Sequence, residues 1–140
     1  MGNSSAGELK DYSGSVLAPE QLLEQAQDIA MEIQKRAISG ADGSLSWISL
    51  TYVPSAERFQ LMPLGYNFFD GNCGIALFLA ALAHVTNNPE FRDTALRAIQ
   101  PLQKFLQTSD AEAAESYTKA LKIGGAIGLG SIIYSLTRIS

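Results

Sequence analysis

Few residues of this chain combine the types and spacing that chemistry needs. Cys73 is the only cysteine and His84 the only histidine in 140 residues. Cys73 is predicted beside a helix N-terminus, where the helix dipole lowers a thiol pKa and favours a reactive thiolate. A small buried hydrophobic residue is the favoured alternative. His84 is predicted at the end of the same helix, as a surface or capping residue and not as a base.

The carboxylates offer no better candidate. Asp70 precedes the helix that holds Cys73 and is expected to cap its N-terminus. Glu112 and Glu115 are expected on a solvated acidic stretch, without the contrasting environments that separate the pKa values of an acid and a base. A four-ligand zinc site needs more ligands than one cysteine and one histidine supply, and the carboxylates show no ligand-like spacing. The sequence therefore predicts no catalytic, cofactor or metal residue.

Composition and charge argue against several partners. The chain is 46% hydrophobic with a net charge of −4, and it has no basic cluster, so nucleic-acid binding is not expected. The N-terminus lacks the basic and apolar regions of a signal peptide. The longest apolar run, residues 74–83, is too short to span a bilayer, so no membrane insertion is expected. A single cysteine fits a reducing compartment, and we expect a soluble, cytoplasmic protein.

The chain begins with a Gly- and Ser-rich segment and continues with a helix. Residues 1–18 are predicted to be a flexible arm or linker, followed by one domain from residue 19 to 140. Pro19 suits a first helical position, and Gly40 suits a helix end. Between them an amphipathic helix is predicted. Its buried stripe is Leu22, Ala26, Ile29, Ile33 and Ala37.

Residues 45–64 predict a short irregular β-hairpin. They are rich in β-branched and aromatic residues, which favour extended structure, and a turn signal separates 45–53 from 58–64. Pro63 is expected to prevent complete ladder pairing. Trp47 is interpreted as a packing anchor in preference to a ligand-stacking residue.

Three further helices are predicted. Residues 72–86 are apolar around the whole circumference, which indicates burial on all sides. Residues 89–107 predict an outer helix with one apolar stripe, and Pro101 should kink or split it. Residues 109–116 are either a solvated loop or a weak short helix. Residues 126–139 form another helix almost without a polar face.

The two apolar helices follow the same glycine pattern. Gly71-x-x-Gly74-Ile recurs 54 residues later as Gly125-x-x-Gly128-Leu. A chance match is the alternative, but the apolar helix behind each copy favours a true repeat. The pattern predicts an all-α fold of helical hairpin repeats, arranged as a partial α/α toroid. Two units do not close a ring, so the inner helices should expose an apolar face to further repeats or to a second copy of the chain.

Several segments resemble the start of the lanthionine synthetase C-like cyclase domain. The resemblance is greatest to the C-terminal domain of class II lanthipeptide synthetases and covers roughly residues 20–140. It implies a double-layered helical toroid around a zinc ion, which cysteines and a histidine hold. The zinc ion activates a cysteine thiol of a precursor peptide for addition to a dehydrated residue, which closes a thioether ring. The segments that carry the resemblance are Ser46–Tyr52, Arg58–Leu64, Tyr66–Ala83 and Gly124–Tyr134.

The zinc-binding and acid/base motifs of that family are absent from this sequence. Neither Trp-Cys-x-Gly nor Cys-His-Gly occurs, and Cys73 and His84 match no ligand position. The chain is therefore predicted to be a partial cyclase domain that is inactive alone, with a precursor peptide as the partner of the full-length family. The alternative is a non-catalytic helical scaffold or peptide-binding module, with possible self-association as a homodimer.

Overall fold

The computed structural model describes residues 18–139, and the predicted arm lies outside the described residues apart from Ala18. The described part is mainly helical with a small antiparallel hairpin, as predicted, and it contains a second two-stranded sheet that was not predicted; the ring itself stays a prediction. None of its helices is long and apolar enough to cross a membrane. The helices are α1 (Pro19–Lys35), α2 (Asn72–Thr86), α3 (Pro89–Thr108), α4 (Ala111–Ala120) and α5 (Leu129–Ile139). The strands are β1 (Ile38–Ser39), β2 (Leu45–Ser46), β3 (Ile48–Val53) and β4 (Arg58–Pro63).

The first helix ends earlier than predicted. α1 stops at Lys35, because the chain turns back at residues 40–44 and pairs β1 with β2. The amide of Gly40 donates to the carbonyl of Ser44 at 2.8 Å. Gly43 has a φ of +81°, a conformation that glycine adopts without strain. The prediction that Gly40 ends a helix is therefore wrong, because this glycine belongs to a hairpin turn.

The face that α1 turns to the core also differs from the prediction. Ala30 is fully buried and Leu23 packs against the core. Leu22 and Ile29 are 53% and 57% exposed. The predicted stripe is wrong at these two positions, because helical spacing fixes which residues share a face and not which part of that face meets a neighbour.

The predicted β-hairpin is confirmed with shorter bounds. β3 pairs with β4 from Ile48 opposite Pro63 to Val53 opposite Arg58. Pro63 lies at the end of the ladder, where a missing N–H does least harm. One face of this hairpin is apolar and at least half exposed, while the other carries mainly polar side chains. The exposed apolar residues of that face are Ile48, Leu50, Tyr52, Phe59 and Leu61.

The core lies mainly between α2 and α3, with contributions from α1, α5 and Trp47. Trp47 is 7% exposed, and its Nε1 donates to the carbonyl of Ile33 at 2.8 Å, which confirms a packing anchor. Pro101 was predicted to kink or split this helix; α3 continues through Pro101 as one helix, so the split is wrong and the kink stays a prediction. The buried members of the core are Ala30, Trp47, Cys73, Ala76, Leu79, Leu82, Phe91, Ala95, Ala98, Ile99, Leu102, Ile132 and Ile139.

The start of α2 is held by backbone groups. The N-cap is Gly71 and makes no side-chain hydrogen bond, so the prediction that Asp70 caps this helix is wrong. The amide of Asn72 instead donates to the carbonyl of Gly65 at 2.7 Å. The described residues also leave part of α2 open, because Val85 is 63% exposed. Burial on all sides is therefore wrong for this helix within residues 18–139.

The last two helices differ from their predicted bounds. Residues 111–120 form α4, so the helical alternative for this stretch is correct and the helix extends further than predicted. Asp110 caps it, since its Oδ1 accepts from the amide of Ala113 at 2.8 Å. α5 begins at Leu129 instead of residue 126, because Gly128 has a φ of +113°, outside the helical region.

Candidate functional site

The turns that precede α2 and α5 are hydrogen-bonded to each other. The amide of Phe69 donates to the carbonyl of Ala126 at 3.0 Å. The amide of Gly128 donates to Oδ1 of Asn67, also at 3.0 Å. In the described part of the chain the two turns meet, and α5 lies against α2.

The 54-residue repeat is visible in the contacts of its glycines. A Cβ atom at Gly74 would collide with the carbonyl oxygen of Phe68. A Cβ atom at Gly128 would collide with the carbonyl oxygen of Lys122. Lys122 follows Phe68 by the same 54 residues that separate the two glycines. Both turns therefore use a glycine to bring a carbonyl against the start of a helix, which favours a true repeat over a chance match.

Two buried polar side chains that the sequence analysis did not single out support these turns. The hydroxyl of Ser131 accepts from the amide of Phe68 at 3.2 Å and donates to the carbonyl of Gly128 at 2.7 Å. Asn72 is 1% exposed, and its Nδ2 donates to the carbonyl of Leu64 at 3.4 Å. Its Oδ1 has no partner within residues 18–139. A polar residue at the start of an apolar helix is the sequence signal that would have identified both.

Cys73 is a buried thiol in the first turn of α2. It is fully buried, and burial raises the pKa of the thiol to about 11. The cause is the loss of hydration, because burial disfavours the charged thiolate. The thiol is protonated at neutral pH, and the interpretation as a small hydrophobic residue is supported.

The other candidate residues do not converge on one place. Asp70 is exposed and lies at the edge of a groove described below. His84 is exposed in the last turn of α2. Glu112 and Glu115 are exposed on α4, where Glu115 forms an ion pair with a lysine one turn later. These residues lie on separate surfaces and form no acid/base pair.

The described residues do not fit the zinc ion that the family resemblance implies. Within residues 18–139 no group of three or more His, Cys, Asp or Glu side chains is placed to hold a metal ion. Zinc binds the thiolate form of cysteine, and burial holds Cys73 in its protonated form. No step of a reaction can therefore be assigned through zinc to these side chains.

An apolar groove of about 810 Å³ lies between α1 and α2; we call it the α1–α2 groove. Gln25 and Asp70 are its polar side chains, and glycine backbone forms part of its floor. The groove is thus mainly apolar, with Asp70 as the one carboxylate in its lining. It is lined by Leu22, Gln25, Ala26, Ile29, Ile33, Leu64, Phe68, Phe69, Asp70, Gly71, Gly74, Ile75 and Phe78.

A second groove, of about 860 Å³, lies where α2, α3 and α5 meet; we call it the α2–α5 groove. Its charged side chains are Arg92 and Arg138, and its lining includes no carboxylate. The guanidinium of Arg138 lies 5.7 Å from the centre of the Tyr134 ring, a distance at which a cation and an aromatic face attract. The lining residues are Leu77, Ala80, Ala81, Ala83, His84, Asn87, Asn88, Pro89, Arg92, Ala95, Tyr134, Arg138 and Ile139.

Paired apolar helices joined through glycine turns, with an amphipathic helix packed outside them, define a helical-hairpin repeat protein. The family model "Lanthionine synthetase C-like protein" matches residues 62–140, which include α2 to α5 and both glycine turns. This is more than half of the chain, and the chain belongs to the lanthionine synthetase C-like family. A search among curated proteins found no match. The family predicted from the sequence is confirmed, and the class II subtype stays a prediction.

Proposed function

We propose that this chain forms a ring segment of a lanthionine-forming cyclase domain, which acts in the cytoplasm in lanthipeptide biosynthesis. The observation that carries the proposal is the packing of two inner helices through their glycine turns, within a stretch that matches the family model. The reaction of the family is zinc-dependent closure of a thioether ring on a dehydrated precursor peptide. A single cysteine fits the reducing compartment in which peptide thiols stay free for this reaction.

The segment contributes packing to this reaction and no chemistry of its own. A peptide thiol adds to a dehydrated residue only after it loses its proton, to a metal or to a base. Cys73 is buried and protonated, and His84 is exposed at the far end of the same helix. Neither side chain meets a second candidate group, so the chain alone is expected to be inactive.

Thiol counting tests this proposal. The chain is incubated with Zn²⁺ and a dehydrated peptide that contains one cysteine, and free peptide thiols are then alkylated and counted by mass spectrometry. The expected result is the same rate of thiol loss with and without the chain. Faster thiol loss with the chain, abolished by Cys73→Ala or by a chelator, would contradict the assignment of a purely structural role.

A non-catalytic scaffold or peptide-binding module is the second candidate function. The α1–α2 groove favours it, because an open apolar groove with few polar groups suits an apolar peptide segment. Fluorescence anisotropy of a labelled precursor-type peptide would then show saturable binding. Ile29→Glu should abolish that binding, since Ile29 lines the groove. Leu61→Glu is the control, because it makes the same kind of change on the exposed hairpin face.

A further inference from the structure

The α2–α5 groove is positively charged on a negatively charged chain. Its lining contains Arg92 and Arg138, together with His84, and it contains no carboxylate. The whole chain has a net charge of −4, so the charge of the groove does not follow from the composition. Side chains of one sign in a concave site raise the local concentration of ligands of the opposite sign. The groove therefore suits an anionic ligand.

Neither arginine is neutralised by a carboxylate within residues 18–139. The ion pairs of these residues involve other cations, and α5, which carries Arg138, contains no acidic residue. The carboxylates nearest to Arg92 along α3 are Glu90 and Asp93, and neither lines the groove. Asp93 instead pairs with Arg97 at 3.5 Å. Arg92 and Arg138 are both exposed, so their charges are available to an added ligand.

The position of Arg92 is not explained by the fold alone. It is the fourth residue of α3, close to the helix N-terminus, where the helix dipole disfavours a cation. Arg138 lies in the last turn of α5, where the dipole favours a cation, so the helix end is a sufficient reason for that residue. An anion in the groove would offset the unfavourable position of Arg92 and would also meet the positive end of α3.

The rest of the groove is lined mainly by small and apolar side chains. Ala80 and Ala81 on α2 and Ala95 on α3 are short, so they leave room between the helices. Tyr134 is 50% exposed, and the guanidinium of Arg138 lies 5.7 Å from the centre of its ring. This contact places a cation beside an aromatic surface. The groove thus offers an apolar surface next to two positive charges.

We propose that the α2–α5 groove binds a peptide segment of another protein that carries carboxylates beside an apolar side chain. Arg92 and Arg138 bind the carboxylates, because a planar guanidinium matches a carboxylate with two parallel hydrogen bonds. The apolar side chain contacts the alanines and Tyr134. A nucleic acid fits less well, because it needs an extended basic surface that this sequence lacks. The proposal does not depend on the family's reaction, so thiol counting and the binding experiment can fail independently.

Fluorescence anisotropy with two labelled peptides tests the proposal. One peptide alternates glutamate and leucine, and the matched peptide has glutamine in place of every glutamate. We expect saturable binding of the acidic peptide to the 140-residue chain. At low salt this binding should be at least about tenfold tighter than that of the neutral peptide. It should weaken as salt rises, because exposed charges are screened.

Four variants assign the binding to the groove. Arg92→Gln and Arg138→Gln each remove one guanidinium and should weaken binding about threefold to tenfold. Ala81→Glu adds a carboxylate to the groove and should weaken binding more than about tenfold. Arg58→Gln is the control, because it removes the same charge from the β3–β4 hairpin, outside the groove lining, and should leave binding unchanged. All four positions are exposed, and circular dichroism checks the fold of each variant.

Weaker binding in the three groove variants and not in Arg58→Gln would support the proposal. The proposal is overturned if the acidic peptide does not bind, if both peptides bind equally, or if the groove variants bind like the parent chain. An equal loss in Arg58→Gln would also overturn it, since net charge alone would then explain the binding. Sedimentation velocity tests another occupant: assembly of the parent chain that Arg92→Gln and Arg138→Gln abolish would assign the groove to a second copy and contradict the proposal.

Discussion

The two flanks of α2 are made of similar residues, but one packs against α5 and the other borders the open α1–α2 groove. On one flank, α5 lies close, and the turns before the two helices exchange hydrogen bonds through Phe69 and Gly128. On the other flank, the α1–α2 groove stays open, and its walls include Leu22 and Ile29, which are more than half exposed. On the α5 flank, hydrogen bonds between the two turns thus accompany the apolar contact between the helices.

The comparison of the two flanks also distinguishes residues that stabilise the fold from residues that form an exposed surface. Side chains between α2 and α3 are fully buried, so their loss leaves cavities. Side chains in the groove keep contact with solvent, so their loss should cost less. Three substitutions test this division, from the largest expected effect to the smallest.

Leu79→Ala should cause the largest loss of stability. Leu79 is fully buried in the core, and removal of a buried leucine side chain costs about 3–4 kcal/mol, from lost transfer energy and the cavity left behind. Urea denaturation followed by circular dichroism gives the free energy of unfolding. Ile29→Ala, on the open flank, is the control and should lose less than about 1 kcal/mol, since much of that side chain is already hydrated. Equal losses in the two variants would show that the groove is part of the core.

Gly128→Ala should lower the free energy of unfolding by about 2–3 kcal/mol, because it disturbs the contact between the two glycine turns, which we call the seam. The added Cβ meets the carbonyl oxygen of Lys122, and the φ of +113° is strained for alanine. Gly125→Ala is a matched control in the same turn, because a Cβ there meets nothing within 4 Å. It should change stability by less than about 0.5 kcal/mol. If both variants melt at the temperature of the parent chain, close approach at Gly128 does not hold the seam.

Asp42→Asn should have the smallest effect, and that effect should depend on pH. Hydrogen bonds from Ser44 and from Lys104, at 2.9 Å, hold the pKa of the Asp42 carboxyl well below its usual value. The ionised form is favoured in the folded state, so its stabilisation is present above pH 4 and is lost as pH falls towards the folded-state pKa. The parent chain should therefore lose more thermal stability than Asp42→Asn between pH 5 and pH 3. Parallel melting curves across this interval would contradict the assignment.

Much of the fold could be predicted because local signals and packing agree. Pro89 and the apolar spacing after it place α3 within one residue at each end. The hairpin followed from its β-branched and aromatic residues and from the turn at residues 54–57. The repeat followed from its glycines, of which Gly74 and Gly128 have equivalent contacts in the two turns. In each case, the residues that indicate the element in the sequence also occupy conformationally constrained positions in the structure.

The remaining predictions failed where the outcome depends on distant residues. Asp70 has the right type for an N-cap, but the carbonyl of Gly65 already accepts the amide at the start of α2. At Cys73 the favoured interpretation as a small buried hydrophobic residue is supported, and only the alternative of a reactive thiol fails, because burial raises the thiol pKa. The exposure of Leu22 and Ile29 depends on what lies beside α1, which periodicity does not reveal. Sequence spacing predicted which residues share a helix face, but it did not predict which elements pack against that face.

Hydrogen exchange at single amides tests the central claim most directly, that paired glycine turns hold α5 against α2. The amides of Phe69 and Gly128 donate across the seam to Ala126 and Asn67, so both should exchange far more slowly than in the unfolded chain. Asn67→Ala should release the amide of Gly128 while the buried amides of α3 stay protected. If the Phe69 and Gly128 amides exchange in the native chain at unfolded-chain rates, the turns are not paired and the claim is wrong.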